Sequence, residues 1–208
     1  MALSVVPTPR RQVVTAKIRP ELRDKLRAAV LKAFSEQDFH NVDMRSIAAE
    51  CEMSFATIYK YFGDKERLLF AFASEWLGEL RQLLDEGMAG LESPREKLRK
   101  CLWIHLRYFE ENPEVARVLF MAIPVQRWMR DETFVQSDFF GPMLQLVKQA
   151  QADGIIDDQV QAFQVIDFFV GGLQRSIIMW DYRKRSYGLT EQFERLFKMF
   201  WSGISRSA

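Results

Sequence analysis

Apolar side chains recur at helical spacing along nearly the whole chain. The clearest stripe lies near the C-terminus, where apolar residues occupy positions i, i+3, i+4, i+7, i+8 and i+11 from Phe193 to Ile204. The sequence contains no sustained alternation of apolar and polar residues of the kind that indicates β-strands. The pattern therefore predicts an all-α protein.

Helix-start and helix-stop signals divide this pattern into elements. The stretch SPRE at 93–96 combines an N-cap serine, a proline at the first helical position and a glutamate at the third. The dipeptide Asp153-Gly154 follows a helical pattern and has the character of a helix end. Periodicity and these signals together predict about nine helices, at 20–37, 43–51, 54–62, 64–86, 94–111, 113–120, 124–152, 159–183 and 190–204.

The stretch from Val165 to Trp180 is apolar on nearly every side and contains the pair Gly171-Gly172. A helix with apolar residues all round must be buried all round. In a chain of 208 residues, one solution is to place the subunit core on one face and a second subunit on the other. This stretch therefore favours a homodimer.

Residues 43–61, DMRSIAAECEMSFATIYKY, predict two short helices joined by a tight turn. Asp43 caps the first helix, Glu52 lies in the turn, and Ser54 caps the second helix. Two short helices in this order form a helix-turn-helix unit. The outer face of its second helix carries Phe55, Ala56, Thr57, Tyr59, Lys60 and Tyr61. This mixture of hydroxyl, aromatic and cationic groups suits contact with DNA grooves and phosphates.

The charge distribution agrees with this interpretation. The net charge is only +1, yet the segment from Arg10 to Arg27 carries seven cationic and two acidic residues. A basic segment beside a helix-turn-helix fits phosphate contact, and Arg10 and Arg11 are suited to a minor groove; a solvated arm without a partner is the alternative. We therefore predict a basic arm at 1–19, a helix-turn-helix domain at 20–66 and a further domain at 67–208.

The segment from Arg27 to Leu69 resembles the N-terminal signature of the TetR family of bacterial regulators. The matching positions are Phe39, Ile47, Ala48, Ser54, Thr57, Tyr59, Tyr61, Phe62, Lys65 and Leu68. The resemblance implies a three-helix DNA-binding domain followed by a helical bundle that binds a ligand and dimerises. It further implies a transcription regulator, which we expect to be a repressor, that binds a palindromic operator in double-stranded DNA as a homodimer.

The same resemblance assigns roles to individual side chains. Those expected to hydrogen-bond the DNA backbone or to position the recognition helix are Ser54, Thr57, Tyr59 and Tyr61, although Tyr61 could instead be a core aromatic. Those expected to face the base edges are Phe55, Ala56 and Lys60. Arg45 is expected to contact a phosphate or a base at the groove edge. Lys65 is expected to hold another phosphate at the start of the following helix.

Three positions depart from the family's usual pattern, in which glycine or a small residue is found. Glu52 lies in the turn, and left-handed backbone costs a residue with a side chain roughly 1–2 kcal/mol. We therefore expect an altered turn, with a carboxylate that weakens non-specific DNA binding. Asp38 and Ala56 are the other two departures, and they predict a changed docking angle.

Large, soft side chains are frequent between positions 94 and 183, where the resemblance places a ligand cavity. Such linings suit an apolar or amphipathic ligand, although a helical core needs the same residue types. Arg175 interrupts the most apolar helix, which suggests a partner for an anionic ligand group or an ion pair at a dimer interface. The expected effector is a small amphipathic anion, such as a fatty acyl compound. The candidate ligand residues are Trp103, His105, Phe109, Met121, Trp128, Phe140, Phe168, Gln174 and Arg175.

By the same resemblance, the last two helices of each subunit pair into a four-helix bundle. Gly171 and Gly172 would permit a close approach of the two backbones. The residues expected to form this interface are Phe163, Ile166, Val170, Ile177, Phe193, Leu196, Phe197 and Phe200.

Other features limit the remaining classes of function. Cys51 and Cys101 lack metal-ligand spacing, so we expect buried thiols in a reduced compartment and neither a metal nor a cofactor. Neither a signal peptide nor a membrane span is evident, and we expect a cytoplasmic protein without membrane contact. An architectural DNA-binding protein that lacks an effector is the main alternative. An enzyme is a weaker one, since no nucleophile–base spacing or phosphate loop occurs and only His40 and His105 are available.

Overall fold

The computed structural model describes Thr15, residues 18–131 and residues 136–206. This part of the chain folds into ten α-helices and confirms the prediction of an all-α protein. The helices are α1 (Pro20–Glu36), α2 (Met44–Glu50), α3 (Phe55–Phe62), α4 (Lys65–Met88), α5 (Pro94–Glu111), α6 (Pro113–Arg117), α7 (Val125–Trp128), α8 (Gln136–Ala152), α9 (Ala162–Tyr182) and α10 (Phe193–Ile204). Arg10 and Arg11 of the expected basic arm lie outside the described residues.

The structure corrects two of the predicted helices. The helix expected at 124–152 is two helices, because turn hydrogen bonds from Arg130 N to Arg127 O and from Asp131 N to Trp128 O end α7. The helix expected at 113–120 is α6 followed by a π-helical turn, Val118–Ala122. Apolar periodicity does not detect such local changes in backbone hydrogen bonding.

The first three helices pack around one apolar cluster. Leu26 and Phe34 of α1 are fully buried, together with Ile47 of α2 and Ile58 of α3. A second side of α1 contacts α6 and the π-helical turn. The N-terminal helices therefore pack directly against the rest of the chain.

Helix α4 connects the two parts. It runs for 24 residues, about 36 Å, and crosses the expected boundary between 66 and 67 without a break. Arg23 and Arg27 of α1 form ion pairs with Glu75 and Glu79 of α4, at 3.1 Å and 2.6 Å. The Tyr108 hydroxyl of α5 donates a hydrogen bond to the carbonyl oxygen of Trp76, so α1, α4 and α5 are linked.

The C-terminal part is a bundle in which α5 contacts α4, α8, α9 and α10. Helix α9 buries one half of its surface and exposes the other, which includes Gly171 and Gly172. None of the helices in the described residues combines the length and the apolar character needed to cross a membrane.

Candidate nucleic-acid interface

Local capping positions α2 and α3 as the sequence predicts. The Asp43 carboxylate accepts a hydrogen bond from Arg45 N at 3.1 Å, and the Ser54 hydroxyl accepts one from Thr57 N, also at 3.1 Å. Gly63 ends α3 with φ +80°, a conformation that favours glycine. Each helix therefore has a defined end, which fixes its direction relative to the other.

The inner face of α3 holds it against the N-terminal core. Ile58 and Phe62 are buried in the same apolar cluster as Ile47 and Cys51 of the preceding segment. Burial of this face leaves the opposite face of α3 exposed. The result is the helix-turn-helix geometry that the sequence predicts.

The outer face of α3 presents an exposed ridge. Phe55 and Tyr59 are 39% and 57% exposed, with ring centroids 5.9 Å apart. The Arg45 guanidinium lies 5.4 Å from the centre of the Phe55 ring, which extends the ridge onto α2. Ala56 and Lys60 are exposed between and beside these groups. The ridge therefore offers apolar, hydroxyl and cationic groups on one convex surface.

Three of the predicted contact residues are partly engaged within the protein. The Thr57 hydroxyl lies 2.7 Å from the Ser54 hydroxyl, so one of them donates to the other. The Tyr61 ring is half-buried against the core, and its centroid lies 6.3 Å from that of Phe62. These residues position α3 whether or not they also contact DNA.

The turn corrects the expectation about Glu52. Its backbone adopts the left-handed conformation itself, at φ +56°, while Met53 N donates to Ala48 O at 2.9 Å. The tight turn is therefore preserved, and Glu52 has a strained backbone conformation. The Glu52 carboxylate pairs with the Lys25 ammonium of α1, and this hydrogen bond lowers the pKa of Glu52.

Asp38 has φ −62°, so the chain there requires no glycine.

Lys65 has a structural role that the sequence analysis missed. Its ammonium donates to the carbonyl oxygens of Phe39, His40 and Val42, at 2.7, 3.0 and 3.1 Å. It also lies 4.8 Å from the centre of the Phe39 ring. Because an ammonium has only three donors, none is left for a phosphate in this arrangement. We therefore do not place Lys65 in the interface.

The candidate ligand residues divide between the interior and the surface. Those that the structure buries are His105, Phe109 and Trp128. Those that it half-buries are Trp103, Phe140 and Gln174. Met121 and Phe168 are 45% and 53% exposed and Arg175 is exposed, so these three do not line the interior. Arg175 lies on the exposed half of α9, and apolar periodicity does not show which half of the helix the subunit covers.

Trp103 lies at the surface of the bundle. It lines a pocket of about 290 Å³ with Phe193 and Arg99, and its ring is perpendicular to that of Phe193 at 5.2 Å. The Arg99 guanidinium lies 4.9 Å from the centre of the Phe193 ring. This pocket is too small for a long acyl chain.

His105 is a neutral histidine of the core. Its Nδ1 lies 2.7 Å from the carbonyl oxygen of Cys101, one helical turn earlier. The rings of Phe109 and Phe169 lie beside it, with centroids at 6.5 and 5.9 Å. Burial lowers the pKa of His105 to about 4, so the imidazole is uncharged at neutral pH.

Both cysteines are buried thiols. Burial raises the pKa of Cys101 to about 12, and it also raises the pKa of Cys51. In the described part of the chain, no three histidine, cysteine, aspartate or glutamate side chains are grouped so that they could hold a metal ion.

The expected dimer residues need revision. Those that are buried within the subunit are Ile166, Ile177, Phe193, Phe197 and Phe200, while Val170 and Leu196 are half-buried. Phe163 is exposed as expected. Two further exposed side chains on α9 and α10, Tyr182 and Met199, were not identified from the sequence. An apolar stripe alone does not tell which of its members face a partner.

A capped short helix that lies behind a tight turn, with a convex polar and aromatic face, defines a helix-turn-helix protein of the DNA-binding class. Residues 26–72, which contain this unit, match the model for bacterial regulatory proteins of the tetR family. The DNA-binding unit of this chain is thus a TetR-family domain.

Known proteins agree with this assignment. The chain is 33% identical over 93 residues to the HTH-type transcriptional regulator HbdR of Aromatoleum sp. (strain CIB), which covers 45% of this chain and 41% of HbdR. The match thus spans less than half of that relative. The fold is similar to that of the fatty acid degradation regulator FadR from Bacillus halodurans, with a TM-score of 0.79 and 18% identity over 90% of this chain and 97% of the other. It also resembles FadR from Bacillus subtilis in complex with stearoyl-CoA, with a TM-score of 0.77 and 17% identity over 87% and 98%.

Proposed function

We propose that this protein is a transcription regulator that binds a palindromic DNA operator as a homodimer and releases it when a small effector binds. The observation that carries the proposal is the exposed face of α3, where Phe55, Tyr59 and Lys60 project from a capped helix with a buried rear face. Aromatic and methyl groups suit thymine methyls, and a lysine suits the acceptors of guanine. Arg45 adds a cation at the edge of the same ridge.

The exposed half of α9 and the adjoining surface of α10 are suited to the dimer interface. Phe168, Tyr182 and Met199 are more than half exposed there. A Cβ atom added at Gly171 or Gly172 would meet no heavy atom within 4 Å, so this face is open to a close-packed partner. A two-fold dimer would place the two α3 helices about 34 Å apart, one turn of DNA, which requires a palindromic operator.

An amphipathic anion with a long apolar chain is the effector class we propose. The bundle interior is rich in aromatic residues around His105, which suits an apolar tail. The Bacillus subtilis regulator of similar fold is described as a complex with stearoyl-CoA. Because Arg175 is exposed, we no longer assign it to the anionic group. Effector binding would favour a subunit arrangement with a different α3 spacing, which gives repression that the effector relieves.

The test is selection of DNA from a random library by the purified full chain, followed by footprinting of the selected sequence. We expect two inverted half-sites whose centres lie about one helical turn apart. Recovery of unrelated sequences with equal affinity would contradict the proposal and favour an architectural DNA-binding protein. Stearoyl-CoA added to the selected complex should release it, whereas coenzyme A alone should not. Unchanged DNA affinity in stearoyl-CoA would contradict the effector part only.

A further inference from the structure

The segment after α9 presents two cations on a well-anchored turn. Arg183 and Lys184 are exposed, and neither forms an ion pair with any side chain that the structure describes. The contact of Arg183 with a neighbouring group is one hydrogen bond of 3.4 Å to the Tyr187 hydroxyl. Tyr182, immediately before them, is 79% exposed. Two exposed cations without acidic partners are suited to contact with DNA phosphates.

The third cation of this run holds the turn in place. The Arg185 guanidinium pairs with Asp181 at 3.0 Å and lies 5.6 Å from the centre of the Trp180 ring. The Trp180 indole donates to the carbonyl oxygen of Tyr187 at 2.8 Å, which closes the turn from the other side. Arg185 therefore anchors the turn, and the turn leaves Arg183 and Lys184 exposed to solvent.

The backbone of this turn is strained. Lys184 and Arg185 both have φ +55°, in the left-handed region that residues with side chains rarely adopt. Two consecutive residues of this kind cost free energy that a glycine would avoid. Strain of this sort is found where the direction of a side chain matters for function. The conformation thus points to a role for the displayed side chains.

The turn lies at the end of α9 that is linked through α6 to the N-terminal helix α1. Asp181 at the end of α9 pairs with Arg117 of α6 at 3.0 Å, and α6 packs against α1. The opposite end of α9 is about 30 Å away, since the helix has 21 residues. The exposed half of α9, which we propose as the dimer face, ends at Tyr182. In the dimer the two turns would therefore flank the two-fold axis, above the centre of the operator.

We propose that Arg183 and Lys184 form a second DNA contact, to phosphates between the two half-sites. This inference rests on the proposed function, because it requires a dimer with an α3 helix in each half-site. The contact adds affinity and carries no base specificity, since it involves phosphates alone. It also connects the bundle directly to DNA, so a subunit movement that separates the turns would weaken binding independently of α3.

The experiment compares Arg183→Ala/Lys184→Ala with the unaltered dimer on the selected operator across a salt series. We expect roughly tenfold or greater loss of affinity near 0.15 M salt, and a shallower salt dependence. The matched control is Lys148→Ala/Arg206→Ala, which removes the same charge from two exposed cations near the other end of α9. Sedimentation must show that both variants remain dimers. Equal affinity of the Arg183→Ala/Lys184→Ala variant and the unaltered protein would overturn the proposal, and so would an equal loss in the control.

Operators with uncharged methylphosphonate linkages at the centre provide the decisive second arm. The unaltered protein should lose affinity on this DNA, whereas Arg183→Ala/Lys184→Ala should bind it as well as ordinary operator. The same linkages at the outer ends should weaken both proteins equally. Equal losses for both proteins on the central linkages would overturn the contact, and would leave an acidic protein as the partner to seek. Absence of sequence-specific binding by the unaltered protein would instead contradict the proposed function itself.

Discussion

The Lys65 ammonium lies 2.7 Å from the carbonyl oxygen of Phe39, and it also donates hydrogen bonds to the carbonyl oxygens of His40 and Val42. The first residue of α4 therefore ties the recognition unit to the segment that precedes α2. A cation at the start of a helix beside the recognition helix would ordinarily be assigned to a phosphate. Here its donors are used within the protein, which makes Lys65 a residue that positions the helix-turn-helix.

Replacement of Lys65 should separate folding from DNA contact. Lys65→Met loses three charge-assisted hydrogen bonds and should lower the free energy of unfolding by roughly 2 kcal/mol. Its operator affinity should stay within about twofold of normal under conditions where it is folded, since the side chain has no phosphate to lose. Lys60→Met should show the reverse pattern, with normal stability and weak binding. Urea unfolding and a binding isotherm on each variant measure both quantities. A large loss of affinity in folded Lys65→Met would restore the phosphate contact.

The left-handed turn at Glu52 should be relieved by glycine. Glu52→Gly removes both the strained conformation at φ +56° and the ion pair with Lys25. A left-handed conformation costs a residue with a side chain roughly 1–2 kcal/mol, and this exceeds what one exposed ion pair contributes. The midpoint of urea unfolding should therefore rise.

Glu52→Ala is the matched control for this change, because it removes the ion pair and keeps a Cβ atom. It should lower the urea midpoint slightly, and a rise in both variants would show that the carboxylate and not the backbone is unfavourable. Both variants free Lys25 and remove a negative charge near DNA, so both should bind non-specific DNA more tightly at low salt.

The buried His105 should make stability depend on pH. Its pKa is lowered to about 4 in the folded protein, from an ordinary value of 6.5, because burial disfavours the charged imidazolium. Between these values the unfolded chain holds the proton and the folded chain does not, so stability is complete above pH 6.5 and falls as the pH drops toward 4. The loss is on the order of 3 kcal/mol. Urea unfolding from pH 7.5 to 4 measures it.

His105→Leu is the comparison, since it keeps an apolar side chain of similar size and has no group to titrate. The unfolding free energy of the unaltered protein, relative to that of His105→Leu, should rise by about 3 kcal/mol as the pH rises from 4 to 6.5. A difference that is constant over this range would show that His105 keeps an ordinary pKa in the folded protein.

The proposed dimer face should be sensitive to a charge on α10. Met199 is 62% exposed in the subunit, so Met199→Glu should leave the monomer folded while placing a carboxylate in the interface. The dissociation constant of the dimer, measured by sedimentation, should rise by roughly two orders of magnitude. Leu83→Glu, on an exposed position of α4, is the matched control and should remain dimeric. An unchanged dimer in Met199→Glu would place the interface elsewhere.

The local features of the site could be predicted from the sequence. Ser54 caps α3 and Ile58 is buried beneath it, because capping and helical periodicity depend on residues only a few positions apart. The helix-turn-helix and the all-α fold follow from such signals. They do not depend on knowing which distant residue meets which.

Features that depend on distant neighbours could not be predicted. Lys65 donates hydrogen bonds to carbonyl groups more than 20 positions earlier in the chain, and no local sequence pattern predicts these bonds. Arg175 and Ile177 lie on the same apolar helix, yet one faces outward and the other is buried. Periodicity identifies a helix as apolar on both sides and leaves open which side the subunit itself covers.

The central claim, that the exposed face of α3 recognises a particular DNA sequence, is tested most directly by fluorescence anisotropy with Tyr59→Ala/Lys60→Ala. The unaltered dimer should bind the selected operator far more tightly than a scrambled duplex at the same salt concentration, and the variant should lose this preference while keeping weak, salt-dependent binding to both. Lys148→Ala, an exposed cation on α8, should behave as the unaltered protein. A variant that keeps the full preference for the operator would contradict the assignment of α3 as the recognition helix.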